Sequence, residues 1–210
     1  VPGSGEVEAI VVRPRTRNIT INNVHIHHLY ANENGKYADL PGVVRAIFIG
    51  ESYDLKVTNC RLHNIQGFED GDAIQIQTGT QQQSLNILID NCLIYDFGKR
   101  AIKVNDGSGL TITNNTILSS SMYFIDPPLV PPLARKDSFL GVAEGIAIYG
   151  ANNVLVANNT IKLYTASWLI SLGSSNNVTI TGNYASIYRP HLDWTEVPIS
   201  RGSYTRAFYL

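Results

Sequence analysis

Ile112-Thr113-Asn114-Asn115-Thr116-Ile117 is a six-residue stretch that the chain writes, with variations, six times. The other copies are Ile21-Asn22-Asn23-Val24-His25-Ile26, Val57-Thr58-Asn59-Cys60-Arg61-Leu62, Ile89-Asp90-Asn91-Cys92-Leu93-Ile94, Val156-Ala157-Asn158-Asn159-Thr160-Ile161 and Ile180-Thr181-Gly182-Asn183-Tyr184-Ala185. In the last copy the apolar residue slips to Ile187, as in a terminal repeat. A second run precedes each copy: Ile10-Val11-Val12, Ile47-Phe48-Ile49, Ile74-Gln75-Ile76, Ile102-Lys103-Val104, Ile146-Ala147-Ile148 and Ile170-Ser171-Leu172. Four of the gaps to the next strand are six residues long: Ile49 to Leu55, Val104 to Leu110, Ile148 to Val154 and Leu172 to Val178. The repeat after Ile76 carries an insertion from Thr78 to Ser84.

Each repeat therefore reads as three short strands with period-two alternation. A stack of hairpins would need Asn-Gly or Asp-Gly turns between paired runs, and these are scarce at the right places. A leucine-rich repeat would need a fixed short period. Three strands per turn with irregular third connections predict an all-β chain, a right-handed parallel β-helix of about six coils with long loops at one corner. The helix is expected over residues 1–187, with loop 118–144 projecting from it. Residues 188–210 are expected to pack on the helix end or on a neighbouring subunit. The Asn before the third strand has a physical cause: a two-residue bend needs one left-handed residue, which Asn tolerates best after Gly. Gly182 is the predicted exception, and stacked Asn amides are expected to hydrogen-bond along the axis.

Lys and Arg number 16, Asp and Glu 17, and the net charge is -1, so there is no electrostatic case for nucleic acid or an anionic membrane. No apolar run is long enough to cross a bilayer. Val1-Pro2-Gly3-Ser4-Gly5 has no basic region or apolar core and reads as the cut edge of a longer chain. Two cysteines do not make a disulfide scaffold. Cys60 and Cys92 share one slot in adjacent coils and are expected to be buried free thiols.

From about Glu8 to Ile187 the sequence resembles the pectate-lyase-like superfamily of right-handed β-helices, and most of all phage tailspike depolymerases. That superfamily holds lyases, hydrolases, epimerases and tailspikes, so the resemblance speaks to fold more than to chemistry. It implies a substrate groove over the first sheet, bordered by the corner where connections lengthen. Here those are His27 to Arg45, His63 to Asp72 and Leu118 to Glu144.

Alternation puts Val11, Phe48, Gln75, Lys103, Ala147 and Ser171 on the outer face of the first sheet, followed by Arg13, Gly50, Gln77, Asn105, Tyr149 and Gly173. At the start of each first strand stands a column of alternating charge: Glu8, Arg45, Asp72, Arg100, Glu144, Trp168. It reads either as a structural salt-bridge ladder or as a catalytic site. Asp72 and Glu144, two rungs apart, would lie roughly 9–10 Å from each other, near the upper end of the ~6.5–9.5 Å of inverting glycosidases. Arg100 between them would keep one carboxylate ionised and leave the proton on the other. Glu69 and Asp70 join Asp72 in the most acid-rich segment. The candidate catalytic residues are thus Asp72, Glu144, Glu69 and Asp70. The candidate substrate-binding residues are Arg100, Lys103, Gln75, Gln77, Asn105, Tyr149, Phe48 and Arg45. Asp70-Gly71-Asp72-Ala73-Ile74 and Arg100-Ala101-Ile102-Lys103 resemble polygalacturonase segments, but the Gly-His-Gly motif of that family is missing and the family is not assigned.

His25, His27 and His28 form a compact cluster without an evident third metal ligand, so no metal site is assigned. No cofactor is expected for a hydrolase; the resemblance implies Ca²⁺ for a lyase, with Lys103 or Arg100 as base. Four Asn-x-Thr sequons, at Asn18, Asn114, Asn158 and Asn177, follow from the repeat itself. Asp126 to Pro132 reads as a stiff arm. Tyr188, Trp194, Tyr204, Phe208 and Tyr209 make an aromatic tail suited to covering the helix end. The expected function is hydrolysis of an extracellular or capsular polysaccharide, by a homotrimer at the cell exterior or on a phage tail. A lyase or uronate epimerase, and a non-catalytic carbohydrate-binding or structural β-helix, are the alternatives.

Overall fold

The computed structural model describes residues 6–30, 43–66, 70–78, 85–120, 144–163, 168–187 and 206–209. The chain is a parallel β-helix, and every strand pairing among the described residues is parallel. The first face carries β1 (Glu6–Val12), β4 (Val43–Ile49), β7 (Asp70–Gln77) and β14 (Trp168–Gly173). The second carries β2 (Thr16–Asn22), β5 (Ser52–Thr58), β8 (Leu85–Asp90) and β15 (Asn176–Thr181). The third carries β3 (His25–Tyr30), β6 (Arg61–Gln66), β9 (Leu93–Phe97), β11 (Thr116–Ser120), β13 (Thr160–Leu163) and β16 (Tyr184–Ile187).

Three strands per coil holds for four coils. In the fourth and fifth, the first and second strands fuse into β10 (Arg100–Thr113) and β12 (Glu144–Ala157). The link between the two faces stays hydrogen-bonded there, with Gly107 opposite Ala151 and Ser108 opposite Asn152. The first two faces therefore form one bent 11-stranded sheet, and the third face a separate six-stranded one. The tail contributes β17 (Arg206–Tyr209), a seventh rung on the first face paired with β14. Loop 31–42, loop 121–143 with its proline arm, and residues 188–205 lie outside the described residues.

The core follows from stacking. Ile47, Ile74, Ile102, Ile146 and Ile170 stand in register and are buried. Leu62, Ile94, Ile117 and Ile161 form the matching file on the third face. Each such side chain contributes about 1.5–3 kcal/mol of burial. Ile10, Ile19 and Val24 in the first coil are only partly buried, because a terminal rung has a described neighbour on one side only.

The asparagines stand in file as expected. Asn23, Asn59, Asn91, Asn114 and Asn158 have φ of 51–57°, and Gly182 takes their place at 64°. Each of the five donates its backbone N–H to the next rung, as Asn114 does to Ala157 O at 3.2 Å. Asn59 Nδ2 donates to Asn22 Oδ1 at 2.7 Å and Asn91 Nδ2 to Asn59 Oδ1 at 2.7 Å. A second left-handed column, which sequence reading missed, precedes the first by five residues throughout: Asn18, Asp54, Asn86, Gly109, Asn153 and Asn177. It lies at the second or third residue of the strands of the second face. Replacing Asn114, φ 55°, with Ala is expected to cost about 1–2 kcal/mol, and with Gly less than 1. Urea midpoints of the two variants check this.

Inside the same bend runs a buried ladder. Asn115, Asn159 and Asn183 occupy the slot that Cys60 and Cys92 fill in earlier coils. Asn159 Nδ2 donates to Ile112 O at 2.9 Å and to Ala157 O at 3.1 Å. Cys60 Sγ reaches the equivalent carbonyls, Thr58 O at 3.3 Å and Ile21 O at 3.8 Å. Both cysteines are free and buried, as expected.

Candidate active site on the first sheet

The charged column exists in the expected register: Glu8, Arg45, Asp72, Arg100, Glu144 and Trp168 lie on successive rungs. Strict alternation would send these side chains inward with Ile47 and Ile74. It breaks because Ala46, Ala73 and Ala101 also enter the core beside the isoleucines, which turns the preceding residue outward. Small size is needed at that corner: a Cβ on Gly145 would stand 2.5 Å from Leu169 O.

The column forms two connected networks. Arg45 Nη1 donates to Glu8 Oε1 at 2.6 Å and lies 3.6 Å from Glu6 Oε1. Its Nε donates to Gln75 Oε1 at 2.6 Å, and Gln75 Nε2 donates to Gln77 Oε1 at 2.6 Å. The Arg45 guanidinium also covers the Phe48 ring at 4.8 Å. In the second network Arg100 bridges both carboxylates. Its Nη1 lies 3.3 Å from Asp72 Oδ2 and its Nε 3.5 Å from Glu144 Oε2. Lys103 Nζ stands 3.9 Å from Asp72 Oδ2. One guanidinium thus stands between the two carboxylates and contacts both.

Burial governs the electrostatics. Asp72 is 0% exposed, Glu144 2% and Arg100 9%, so the charges are held by partners rather than by water. Desolvation pushes the Glu144 carboxyl up from its ordinary range, against the pull of Arg100, Ser171 and Tyr149. Tyr149 OH donates to Glu144 Oε2 at 3.3 Å, and Ser171 Oγ donates to the same oxygen at 3.3 Å. Desolvation also raises the Tyr149 phenol. The arrangement provides a carboxyl disposed to carry a proton, a second carboxylate beside two cations, and a half-buried phenol within reach of the acid.

The structure thus brings Asp72, Glu144, Arg100, Lys103 and Tyr149 together. Arg45, Gln75, Gln77 and Phe48 form the neighbouring network. Gln75 is buried between Arg45 and Gln77, so it positions those groups instead of facing solvent. Asn105 stays in register between Gln77 and Tyr149. Glu69 lies outside the described residues; Asp70 pairs through its backbone with Val43, and its side chain is outside the description. Among the described residues no group of three or more His, Cys, Asp or Glu side chains is disposed to hold one metal ion together. Ser171 was missed as a site residue. Its signal was its place in the outward column with Lys103 and Ala147, two rungs and one rung away.

A family model described as "Right handed beta helix region" matches residues 8–187. Comparison with curated proteins finds no match. Among solved structures, the chain is similar to the GH136 lacto-N-biosidase from Eubacterium ramulus, determined as its selenomethionine derivative. The TM-score is 0.60 at 16% identity, over 85% of this chain and 32% of that one. The chain thus spans 32% of that enzyme's length, and at this identity the likeness is one of fold.

Proposed function

The chain belongs to the right-handed β-helix family, and on that premise we propose that it hydrolyses an extracellular polysaccharide over the outer face of its first sheet. The observation that carries this reading is the bridged pair, Asp72–Arg100–Glu144, with the glutamate held toward its protonated form by burial. Glu144 is the general acid toward the glycosidic oxygen. Asp72 activates water on the opposite side of the sugar ring, so the anomeric configuration inverts. Arg100 orients both, and Tyr149 relays contact between Glu144 and the sugar. Support also comes from the fold shared with a glycoside hydrolase and from long connections at the corner beside this face.

Hydrolysis is favoured over elimination on chemical grounds. Both candidate elimination bases, Lys103 and Arg100, are already engaged in ion pairs with the Asp72 carboxylate. A tailspike-like homotrimer outside the cell or on a virion is the setting we propose.

A second reading rests on the same contacts. Arg100 fills the space between the two acids, as it would in a salt-bridge ladder supporting a binding surface. One assay separates the readings: incubation with capsular and exopolysaccharides, followed by measurement of new reducing ends and of unsaturated-uronate absorbance. Reducing ends without that absorbance are expected. Absorbance together with reducing ends would mean a lyase. Retained binding with neither product would mean the ladder reading.

A further inference from the structure

Four imidazoles from two adjacent coils gather on the outer face of the third sheet, away from the charged column. His25 and His27 come from β3 and His63 from β6, with His28 beside them. His63, absent from the cluster as read in sequence, pairs in register with His27 and stacks on it, centroids 5.2 Å apart and planes 8° apart. Tyr95 stacks on its other face at 4.5 Å and 7°. The ring is therefore clamped between two others, and it is buried at 9% exposure.

The clamp aims one nitrogen. His63 Nδ1 contacts the Asn64 side-chain oxygen. That oxygen only accepts, so Nδ1 carries the proton and Nε2 is left as a lone pair. Nε2 of His63 faces Nε2 of His25 at 2.8 Å. A hydrogen bond from one ring nitrogen to a carbonyl-type oxygen is the arrangement that orients metal-binding histidines; here the other nitrogen accepts from His25 Nε2, and a metal ion would take the place of that proton. Arg61, the nearest cation, is drawn forward onto the next coil, donating to Tyr95 OH from Nη2 at 2.6 Å.

We propose that His25 and His63 form a binding site for a borderline divalent transition-metal ion of the zinc or nickel class, with their two Nε2 atoms as protein ligands and water completing the shell. Two imidazole nitrogens about 2.0–2.1 Å from one tetrahedral ion stand roughly 3.3 Å apart, so the pair needs to open by about half an ångström from 2.8 Å. His25 is exposed and can make that movement while His63 stays clamped. Imidazole suits these metals, and the site is open on its solvent side.

The test uses the chain without an affinity tag, stripped with chelator and titrated with Zn²⁺ alone in a calorimeter. One ion per chain is expected. His25→Ala weakens binding at least tenfold with an unchanged far-UV spectrum, while His28→Ala stays within twofold. His63→Gln gives the same loss as His25→Ala, and Cu²⁺ bound to wild type shows hyperfine coupling to two nitrogens. No saturable binding by wild type, or affinity unchanged in both His25→Ala and His63→Gln, overturns the proposal.

Discussion

Glu144→Gln is expected to lower polysaccharide cleavage by about 10²–10⁴-fold while leaving the protein folded. Gln has the shape of the protonated acid and keeps oxygen and nitrogen within reach of Ser171 and Tyr149, but it has no proton to give. The pH dependence follows from the same group. Burial raises the native pKa of Glu144, so the acid form persists above the ordinary glutamate range and is lost as pH rises through the native value. The kcat/KM profile should therefore show a basic limb there. Stability carries the same sign. A raised carboxyl pKa stabilises the fold fully below the unfolded value, and that contribution disappears as pH climbs through the native one. Over that window wild type should lose stability relative to Glu144→Gln, as measured by urea melts at successive pH values. Full activity in the variant removes Glu144 as the acid.

Asn159→Ala should be the most damaging single substitution for the fold, costing on the order of 3–5 kcal/mol. Asn159 Oδ1 accepts from Asn115 N at 3.0 Å and Asn115 Nδ2 at 2.9 Å. Its Nδ2 donates to Ile112 O, Ala157 O and Asn183 Oδ1. Truncation leaves buried amides and carbonyls without partners and opens a cavity in a rung that both neighbours stack upon. Asn159→Cys should cost about half as much, because a thiol at this slot can reach the same two carbonyls, as Cys92 Sγ reaches Asp90 O at 3.4 Å and Val57 O at 3.7 Å. It cannot replace the acceptor. Denaturant midpoints of the two variants measure the difference, and equal losses would show that the donor half of the ladder contributes nothing.

The fold and the site were legible to different depths. Periodicity alone placed Asn59, Asn91, Asn114 and Asn158 in one left-handed file and Asp72, Arg100 and Glu144 in one column, because in a solenoid equal sequence position means equal spatial position. The fusion of β10 and β12 was not legible. It depends on whether the link between two faces stays paired, as at Gly107–Ala151 and Ser108–Asn152, which the spacing of the repeat does not show. The second left-handed column was present as Asn18, Asp54, Asn86, Asn153 and Asn177, but it sits inside the strand pattern and was hidden by it.

What the sequence by itself determined is the rung: its three faces, the bend before the third and the vertical neighbours of the repeated positions, since all of these follow from local spacing and backbone preference. Only the tertiary structure decided which way the column residues turn and what they meet. Strict alternation would send Asp72 and Glu144 inward, and the small residues after them, Ala73 and Gly145, let them turn out. Likewise the repeat register set His63 beside His27, but only the packed coils brought its Nε2 to 2.8 Å from that of His25.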